Sequence, residues 1–191
     1  MRHSPFTVIY DACVLYPAPL RDFLLLLALS GRFRARWSAQ IHDEWKRNLL
    51  KNRSDITPEQ LDRTSALMDR AIPDALVTGH DVLVPGLNLP DADDRHVLAA
   101  AIRCNASVIV TFNERDFPES VLAPFGIEAQ HPDEFAENLF DLDPAAVVAA
   151  AQRQRAQLKN PALTTDAYLD ALRRQGLVQT AKALVTYQAI L

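Results

Sequence analysis

The sequence predicts an α/β protein, a three-layer α/β/α sandwich around a mostly parallel sheet with further helices at the C-terminal end. Short runs rich in β-branched residues, at 6–10 and 107–110, alternate with segments of helical periodicity. The run at 107–110 is almost continuously apolar, which is typical of a parallel strand covered on both faces. With 191 residues, 49% hydrophobic and 23% charged, the chain is long enough for one such domain and an appendage.

The first half of the chain contains clear start and stop signals. An apolar helix is predicted over residues 20–30, ended by Gly31. Residues 33–37 alternate apolar side chains with arginines 32, 34 and 36, which predicts a half-buried strand with a basic outer face. That face fits either a solvated sheet edge or a phosphate contact. Ser38 is predicted to cap a helix that runs to about residue 51.

Three further elements precede the C-terminal part of the chain. Thr57 and Gln60 form a capping-box pattern that predicts a helix to about residue 72. A strand is expected within residues 74–85. An acid-led helix is expected from Asp91 to Asn105, since Asn tolerates the left-handed conformation that often ends a helix.

The chain after residue 117 is predicted to contain one more strand and then only helices. We expect a helical turn at 118–122, a strand at 126–129 and helices at 132–139, 145–158, 164–174 and 177–191. The composition shifts to alanine-rich helix at Asp143. We therefore divide the chain into a domain at residues 1–140 and a C-terminal helical extension at residues 141–191.

Composition limits the cellular setting and the partners. Two cysteines, no charged leader and no apolar run of about 20 residues favour a cytoplasmic protein that does not contact a membrane. The net charge of −4 offers no general attraction to nucleic acid. A polyanionic partner would have to be bound locally, through metal ions or a basic patch.

Four acidic residues hold comparable places in the predicted elements. Asp11 and Asp116 follow strands, Asp94 lies at a helix start, and Glu44 lies on a helix. Carboxylates brought close together repel one another unless a cation neutralises them, and oxygen-only ligands favour Mg²⁺ or Mn²⁺. Such an ion lowers the pKa of a water molecule and polarises a phosphoryl oxygen. This chemistry is phosphodiester hydrolysis.

The motifs around these acids resemble those of PIN-domain proteins, in the branch close to VapC-type toxins. The resemblance covers roughly residues 8–135, and its two later motifs are the specific ones. In order, the motifs read VIYDA at 8–12, IHDEWKRN at 41–48, DADDRHVLAAA at 91–101 and VTFNERDFP at 110–118.

The resemblance implies a metal-dependent ribonuclease with RNA as substrate, paired as a toxin with an antitoxin protein. It carries over Asp11, Glu44, Asp94 and Asp116 as the residues that bind Mg²⁺ or Mn²⁺ and perform catalysis. It also assigns Thr111 and Asn113 to supporting the acids or positioning the substrate. Asp43 and Asp93, each one residue away, are alternatives to Glu44 and Asp94.

Other interpretations of the same residues stay open. The chain could be a non-catalytic interaction protein that keeps the sheet, or a nuclease that acts on DNA, because chemistry at the phosphate does not read the 2′-OH. The C-terminal helices could extend the core or bind an antitoxin or a second copy of the chain. His96 and Cys13 are expected to be buried structural residues.

Overall fold

A single five-stranded parallel sheet forms the centre of the protein. The computed structural model describes residues 6–191, so the first five residues of the domain assigned to 1–140 lie outside the described part. The strand order is β3-β2-β1-β4-β5, and every pairing is parallel. The strands are β1 (Phe6–Tyr10), β2 (Phe33–Ser38), β3 (Leu76–Val77), β4 (Val108–Val110) and β5 (Glu128–Gln130). The predicted fold class is confirmed.

Ten α-helices connect and extend these strands within residues 6–191. Seven lie between the strands or directly after the last one: α1 (Ala12–Leu15), α2 (Ala18–Ala28), α3 (Ala39–Asn52), α4 (Pro58–Ala71), α5 (Arg95–Arg103), α6 (Glu119–Leu122) and α7 (Pro132–Leu142). The remaining three follow at the C-terminal end: α8 (Pro144–Gln157), α9 (Thr165–Arg174) and α10 (Val178–Leu184).

Helix starts occur where the capping residues predict them. The hydroxyl of Ser38 accepts a hydrogen bond from the Ile41 amide at 3.1 Å, which starts α3 directly at the end of β2. Thr57 and Gln60 make both bonds of a capping box at the start of α4. Asn105 has a φ of 52°, the left-handed conformation expected where α5 ends.

Alternating side chains place aromatic rings on one face of the sheet. Tyr10, Phe33 and Trp37 are buried there, and the Tyr10 and Trp37 rings stack at 6.4 Å. The Tyr10 hydroxyl donates to the carbonyl of Leu24 in α2, and Phe135 of α7 meets Phe33 edge to face at 5.0 Å. Helix α5 packs against β1, β2 and β4. Because the strand order runs outward from the centre in both directions, right-handed connections place helices on both faces of the sheet.

Four sequence expectations differ, in whole or in part, from the structure. Only Leu76–Val77 of residues 74–85 is a strand, because Asp81–Gly86 forms a 3₁₀ helix that leaves Val82 81% exposed. Strand β5 starts at Glu128, since Gly126 adopts a left-handed φ of 66° and ends the preceding turn. The last predicted helix is shorter, with α10 followed by a 3₁₀ turn at Val185–Tyr187. Strand β2 is also not an edge over its whole length, because Trp37 and Ser38 pair with β3.

The C-terminal helices pack on the rest of the protein. Helix α8 packs against α2 and α7, and α10 packs against α7 and α9. Val147, Ala151, Leu177, Ala181 and Leu184 are fully buried in this packing. Within residues 6–191 no helix is long and apolar enough to cross a membrane.

Candidate active site

The candidate site lies where the strand order reverses. Strands β1 and β4 are neighbours at the centre of the sheet, and the chain proceeds outward from them in opposite directions. Open α/β sheets place ligand sites beyond the carboxyl ends of the strands at such a point. Asp11 directly follows β1 and Thr111 directly follows β4, and the Asp11 amide donates to the Val110 carbonyl at 3.1 Å. The topology therefore brings two predicted site residues side by side.

The Asp11 carboxylate is buried and held by three donors. Its Oδ2 accepts from the Thr111 hydroxyl at 2.7 Å and from the Cys13 thiol at 3.1 Å. Its Oδ1 accepts from the Ala12 amide at 2.6 Å. Burial raises the pKa of Asp11, and these hydrogen bonds and the Glu44 carboxylate act on it more weakly. The bonds fix one orientation of the side chain.

Asp94 is a second acid of the cluster with a raised pKa. It is 9% exposed at the end of a 3₁₀ turn, Ala92–Asp94, that leads into α5. Burial, followed by the negative charges of Asp11, Asp91, Glu44 and Asp116, raises its pKa to about 7. Asp93 is exposed, so Asp94 is the residue of this pair whose carboxylate faces the other acids.

The Glu44 carboxylate contacts His96, a histidine on a different helix. His96 on α5 is buried, and its Nε2 lies 3.1 Å from Oε2 of Glu44 on α3. A bond of this kind links the two helices that form opposite walls of the site. Asp43, the alternative to Glu44, is exposed and forms an ion pair with Lys46 at 3.4 Å.

Asp116 and Asn113 lie on the loop that follows β4. Asp116 ends a 3₁₀ turn, Glu114–Asp116, where it is half-buried and contributes to the negative field at Asp94. The Asn113 amide donates to the Thr111 hydroxyl at 2.9 Å, and its own side chain is exposed. Thr111 therefore connects this loop to Asp11.

Glu44, Asp94, His96 and Asn113 line a polar cavity of about 650 Å³, whereas Asp11, Thr111 and Asp116 are not among its lining residues. One wall is a face of α3, and the other is formed by the start of α5 and by Asn113. Arg47 and Lys51 lie on the α3 wall, and neither side chain has a hydrogen bond or ion pair within residues 6–191. Lys46, by contrast, is bound to Asp43 and Asp62. The cavity is thus lined by carboxylates and by two cations that have no partner within the described residues. Arginines 32, 34 and 36 are not among its described lining residues.

The donor set fits a hard divalent cation. Within residues 6–191 no three His, Cys, Asp or Glu side chains already converge as a metal-binding group. The acidic side chains at the cavity nevertheless offer carboxylate oxygens, which Mg²⁺ and Mn²⁺ prefer. Burial first and the neighbouring carboxylates second raise the pKa of Asp94, and a bound cation would offset both effects.

Some residues of the site were not assigned from the sequence. Arg47 and Lys51 follow Glu44 by three and seven residues, so helical periodicity places all three on one face of α3 and could have found them. His96 and Cys13 were predicted to be structural; the structure adds that they contact Glu44 and Asp11. His96 and Glu44 are 52 residues apart in sequence, and the contact of Cys13 with Asp11 depends on the turn after β1. No sequence pattern predicts either contact.

Comparison with known proteins agrees with this architecture. A family model described as a PIN domain matches residues 7–115, and one described as the VapC50 C-terminal domain matches residues 132–186. A relative from Mycobacterium tuberculosis, named "Putative ribonuclease VapC50", is 39% identical over 109 residues, which is 57% of this chain and 64% of the relative. The chain thus matches a little under two thirds of that relative's length. No solved structure matches.

The first family model covers more than half of the chain and ends within the loop that carries Asn113 and Asp116. The parallel α/β sheet agrees with it. The chain belongs to the PIN-domain family.

Proposed function

We propose that the protein is a divalent-cation-dependent endoribonuclease that hydrolyses RNA phosphodiester bonds. In this proposal Asp11, Glu44, Asp94 and Asp116 bind Mg²⁺ or Mn²⁺ and form the catalytic centre. The observation that carries the proposal is the Asp94 carboxyl, buried within the electrostatic influence of the other three acids at the reversal point of the sheet. Such an arrangement is costly to the fold unless it serves to attract a cation.

The residues of the chain would divide the work of the reaction. A bound Mg²⁺ or Mn²⁺ supplies Lewis acidity, which activates a water nucleophile and neutralises charge on the phosphoryl oxygens. Thr111 holds Asp11 in one orientation through the 2.7 Å hydrogen bond, and His96 holds Glu44 across the cavity. Asn113 faces the same cavity, where its amide can position the substrate. Preorganised groups of this kind lower the barrier because they need not reorient during the reaction.

The positive charges on the α3 wall of the cavity favour a polyanionic substrate. A phosphodiester strand approaching the acids would meet Arg47 and Lys51, which have no acidic partner within the described residues. They are four residues apart on one helix face, a separation of about 6 Å along the axis. The net charge of −4 makes a local cationic wall of this kind necessary for gripping RNA.

The biological setting is the second part of the proposal. The relative is named a ribonuclease of the VapC series, and we propose that this chain is likewise the toxin of a toxin–antitoxin pair in the cytoplasm. Its partners would be RNA, an antitoxin protein and a second copy of the chain. The division into a nuclease domain at 1–140 and an extension at 141–191 belongs to the same proposal.

The test is a cleavage assay on single-stranded RNA and DNA of the same sequence, with Mg²⁺, Mn²⁺ or EDTA. The parent should cleave RNA only with a divalent cation, and Asp11→Asn should lose about 100-fold or more of the rate. Asp93→Asn, at the exposed neighbour of Asp94, is the matched control and should cleave like the parent. Equal cleavage by the parent and Asp11→Asn would refute the site. If the protein cleaves DNA faster than RNA, DNA is the substrate. If it neither cleaves nucleic acid nor binds Mn²⁺, a non-catalytic interaction protein is favoured.

The toxin role has its own test. Expression of the parent should arrest growth, while expression of Asp11→Asn should not. Co-expression of the product of an adjacent small gene should relieve the arrest and co-purify with the chain. Growth that is unaffected by the active nuclease would contradict the toxin role and leave the nuclease activity standing.

A further inference from the structure

The turn between α9 and α10 lies against the loop that follows β4. Gly176 in this turn has a φ of 84°. A Cβ atom added there would lie 3.4 Å from Cε1 of Phe112 and 3.7 Å from Cε1 of His131. The rings of Phe112 and His131 meet edge to face, with centroids 5.2 Å apart. A part of the C-terminal extension thus contacts a residue that stands between Thr111 and Asn113.

Two polar anchors hold the extension in this place. The buried carboxylate of Asp133 on α7 accepts from the Gln179 amide at 2.8 Å, and from the amide and hydroxyl of Thr180 at 2.9 and 2.8 Å. On the other side, the Gln154 side chain donates to the Pro19 carbonyl at 2.7 Å and accepts from the buried Tyr168 hydroxyl at 2.8 Å. Buried hydrogen bonds at both ends fix the position of the intervening turn.

The position of Phe112 is transmitted directly to the acidic cluster. The Phe112 amide donates to the Cys13 sulfur at 3.2 Å, and the Cys13 thiol donates to Asp11 at 3.1 Å. The next amide, of Asn113, donates to Thr111, which in turn donates to Asp11. A displacement of the Phe112 ring would therefore shift its backbone and reach Asp11 through two chains of hydrogen bonds, one by way of Cys13 and one by way of Thr111.

We propose that the turn at residues 175–177 is a positioning element of the active site and that Phe112 is the positioning residue through which it acts. The inference rests on the proposed nuclease function for its kinetic consequence, but the contacts exist without substrate. Gly176 suits the point of contact because residues with a side chain rarely adopt its φ of 84°, and a Cβ there would already touch the Phe112 ring, so a longer side chain would press on it. The C-terminal extension is then a working part of the site.

The experiment compares two glycines that both have a positive φ, 84° at Gly176 and 66° at Gly126. Asn tolerates positive φ, so Gly176→Asn and Gly126→Asn impose a similar backbone cost. A side chain at 176 meets Phe112 and His131, whereas a Cβ at 126 has nothing within 4 Å. Gly176→Asn should lower kcat for RNA cleavage by about 10- to 100-fold with little change in KM. Gly126→Asn should cleave like the parent.

Two measurements on the substrate-free protein complete the test. By NMR, hydrogen exchange of the Phe112 and Asn113 amides should be about tenfold faster in Gly176→Asn than in Gly126→Asn, without a general increase elsewhere. Mn²⁺ binding measured by calorimetry should weaken by about tenfold. Both measurements decide the inference even if the parent cleaves no RNA, so failure of the proposed function is recognised separately.

Substitutions of Phe112 guard against a misfolded Gly176 variant. Phe112→Ala should reproduce the faster amide exchange and the lower kcat, and Phe112→Tyr should restore both, since the ring is kept. The proposal would be overturned if both variants, Gly176→Asn and Phe112→Ala, stayed within twofold of Gly126→Asn. This applies to the amide exchange rates, the Mn²⁺ affinity and kcat together.

Discussion

Replacing Asp94 by asparagine is expected to stabilise the metal-free protein at alkaline pH. The pKa of this buried carboxyl is raised from 3.8 to about 7, first by burial and then by Asp11, Asp91, Glu44 and Asp116. The folded state therefore keeps the proton at pH values where the unfolded chain has lost it. Stability then falls as the pH rises from about 4 to about 7 and is lowest above that range, where the folded protein carries the full charge.

The size of the effect follows from the shift. A rise of about three pKa units, at about 1.4 kcal/mol each, lowers the free energy of unfolding by about 4 kcal/mol when Asp94 is charged. Asparagine should recover about 2–4 kcal/mol of this, because its buried amide still loses hydration. For a chain of this length that gain raises Tm by about 10 °C. Near pH 4.5 the same substitution should change stability by about 1 kcal/mol or less.

Urea unfolding in EDTA at pH 4.5 and pH 8 measures both values. Asp93→Asn provides the control, because this neighbour is exposed and should change stability by about 0.5 kcal/mol or less at either pH. A variant at position 94 that is no more stable than the parent at pH 8 would refute the electrostatic account of the cluster. An equal gain from Asp93→Asn would assign the effect to net charge rather than to the buried position.

Three further substitutions test the site and its support. Thr111→Val removes the 2.7 Å donor to Asp11 and should lower kcat about tenfold, with Thr111→Ser close to the parent; equal rates for all three proteins would exclude the bond from catalysis. Arg47→Ala and Lys51→Ala should each lower the salt dependence of single-stranded RNA binding by about one unit of slope in fluorescence anisotropy, whereas alanine at arginines of α4 should leave it unchanged. Asp133→Ala should cost about 2–3 kcal/mol in urea unfolding because it leaves two amides of α10 unpaired and the Thr180 hydroxyl with only its 3.4 Å bond to the carbonyl of residue 133; a loss below about 0.5 kcal/mol would show that this cap does not hold α10.

The fold could be predicted because its signals are local. Ser38, Thr57 and Asn105 mark helix ends through contacts within three residues of themselves, and these boundaries are correct to within a few residues. The strand predicted within residues 74–85 is mostly wrong because strand formation depends on a partner that is distant in sequence. The β-branched pattern around Val82 suits a strand, but β2 ends at Ser38, where it pairs with Val77, and Asp81–Gly86 forms a 3₁₀ helix instead.

The acids of the site could be proposed from their places at the ends of strands and at a helix start. The choice between Asp93 and Asp94, however, depends on which carboxylate is buried, and a one-residue difference at a 3₁₀ turn is invisible in periodicity. The contact of Gly176 with Phe112 spans more than sixty residues of sequence and carries no pattern at all. Such contacts depend on how the helices pack, which the sequence determines only through the whole core.

The cost at Asp94 and the proposed affinity for a cation are two aspects of one free energy. A cation that binds the folded state alone adds RT ln(1 + [L]/Kd) to stability, and it binds more tightly where it relieves more repulsion. The hydrogen bonds from Thr111 and Cys13 offset part of the rise that burial causes in the pKa of Asp11, whereas Asp94 carries no capping hydrogen bond of its own. The repulsion is therefore concentrated at Asp94, next to a loop held in place from the C-terminal turn through Phe112. In the proposed role of the C-terminal turn, its contact with Phe112 supports the backbone that holds Asp11 beside this repulsion.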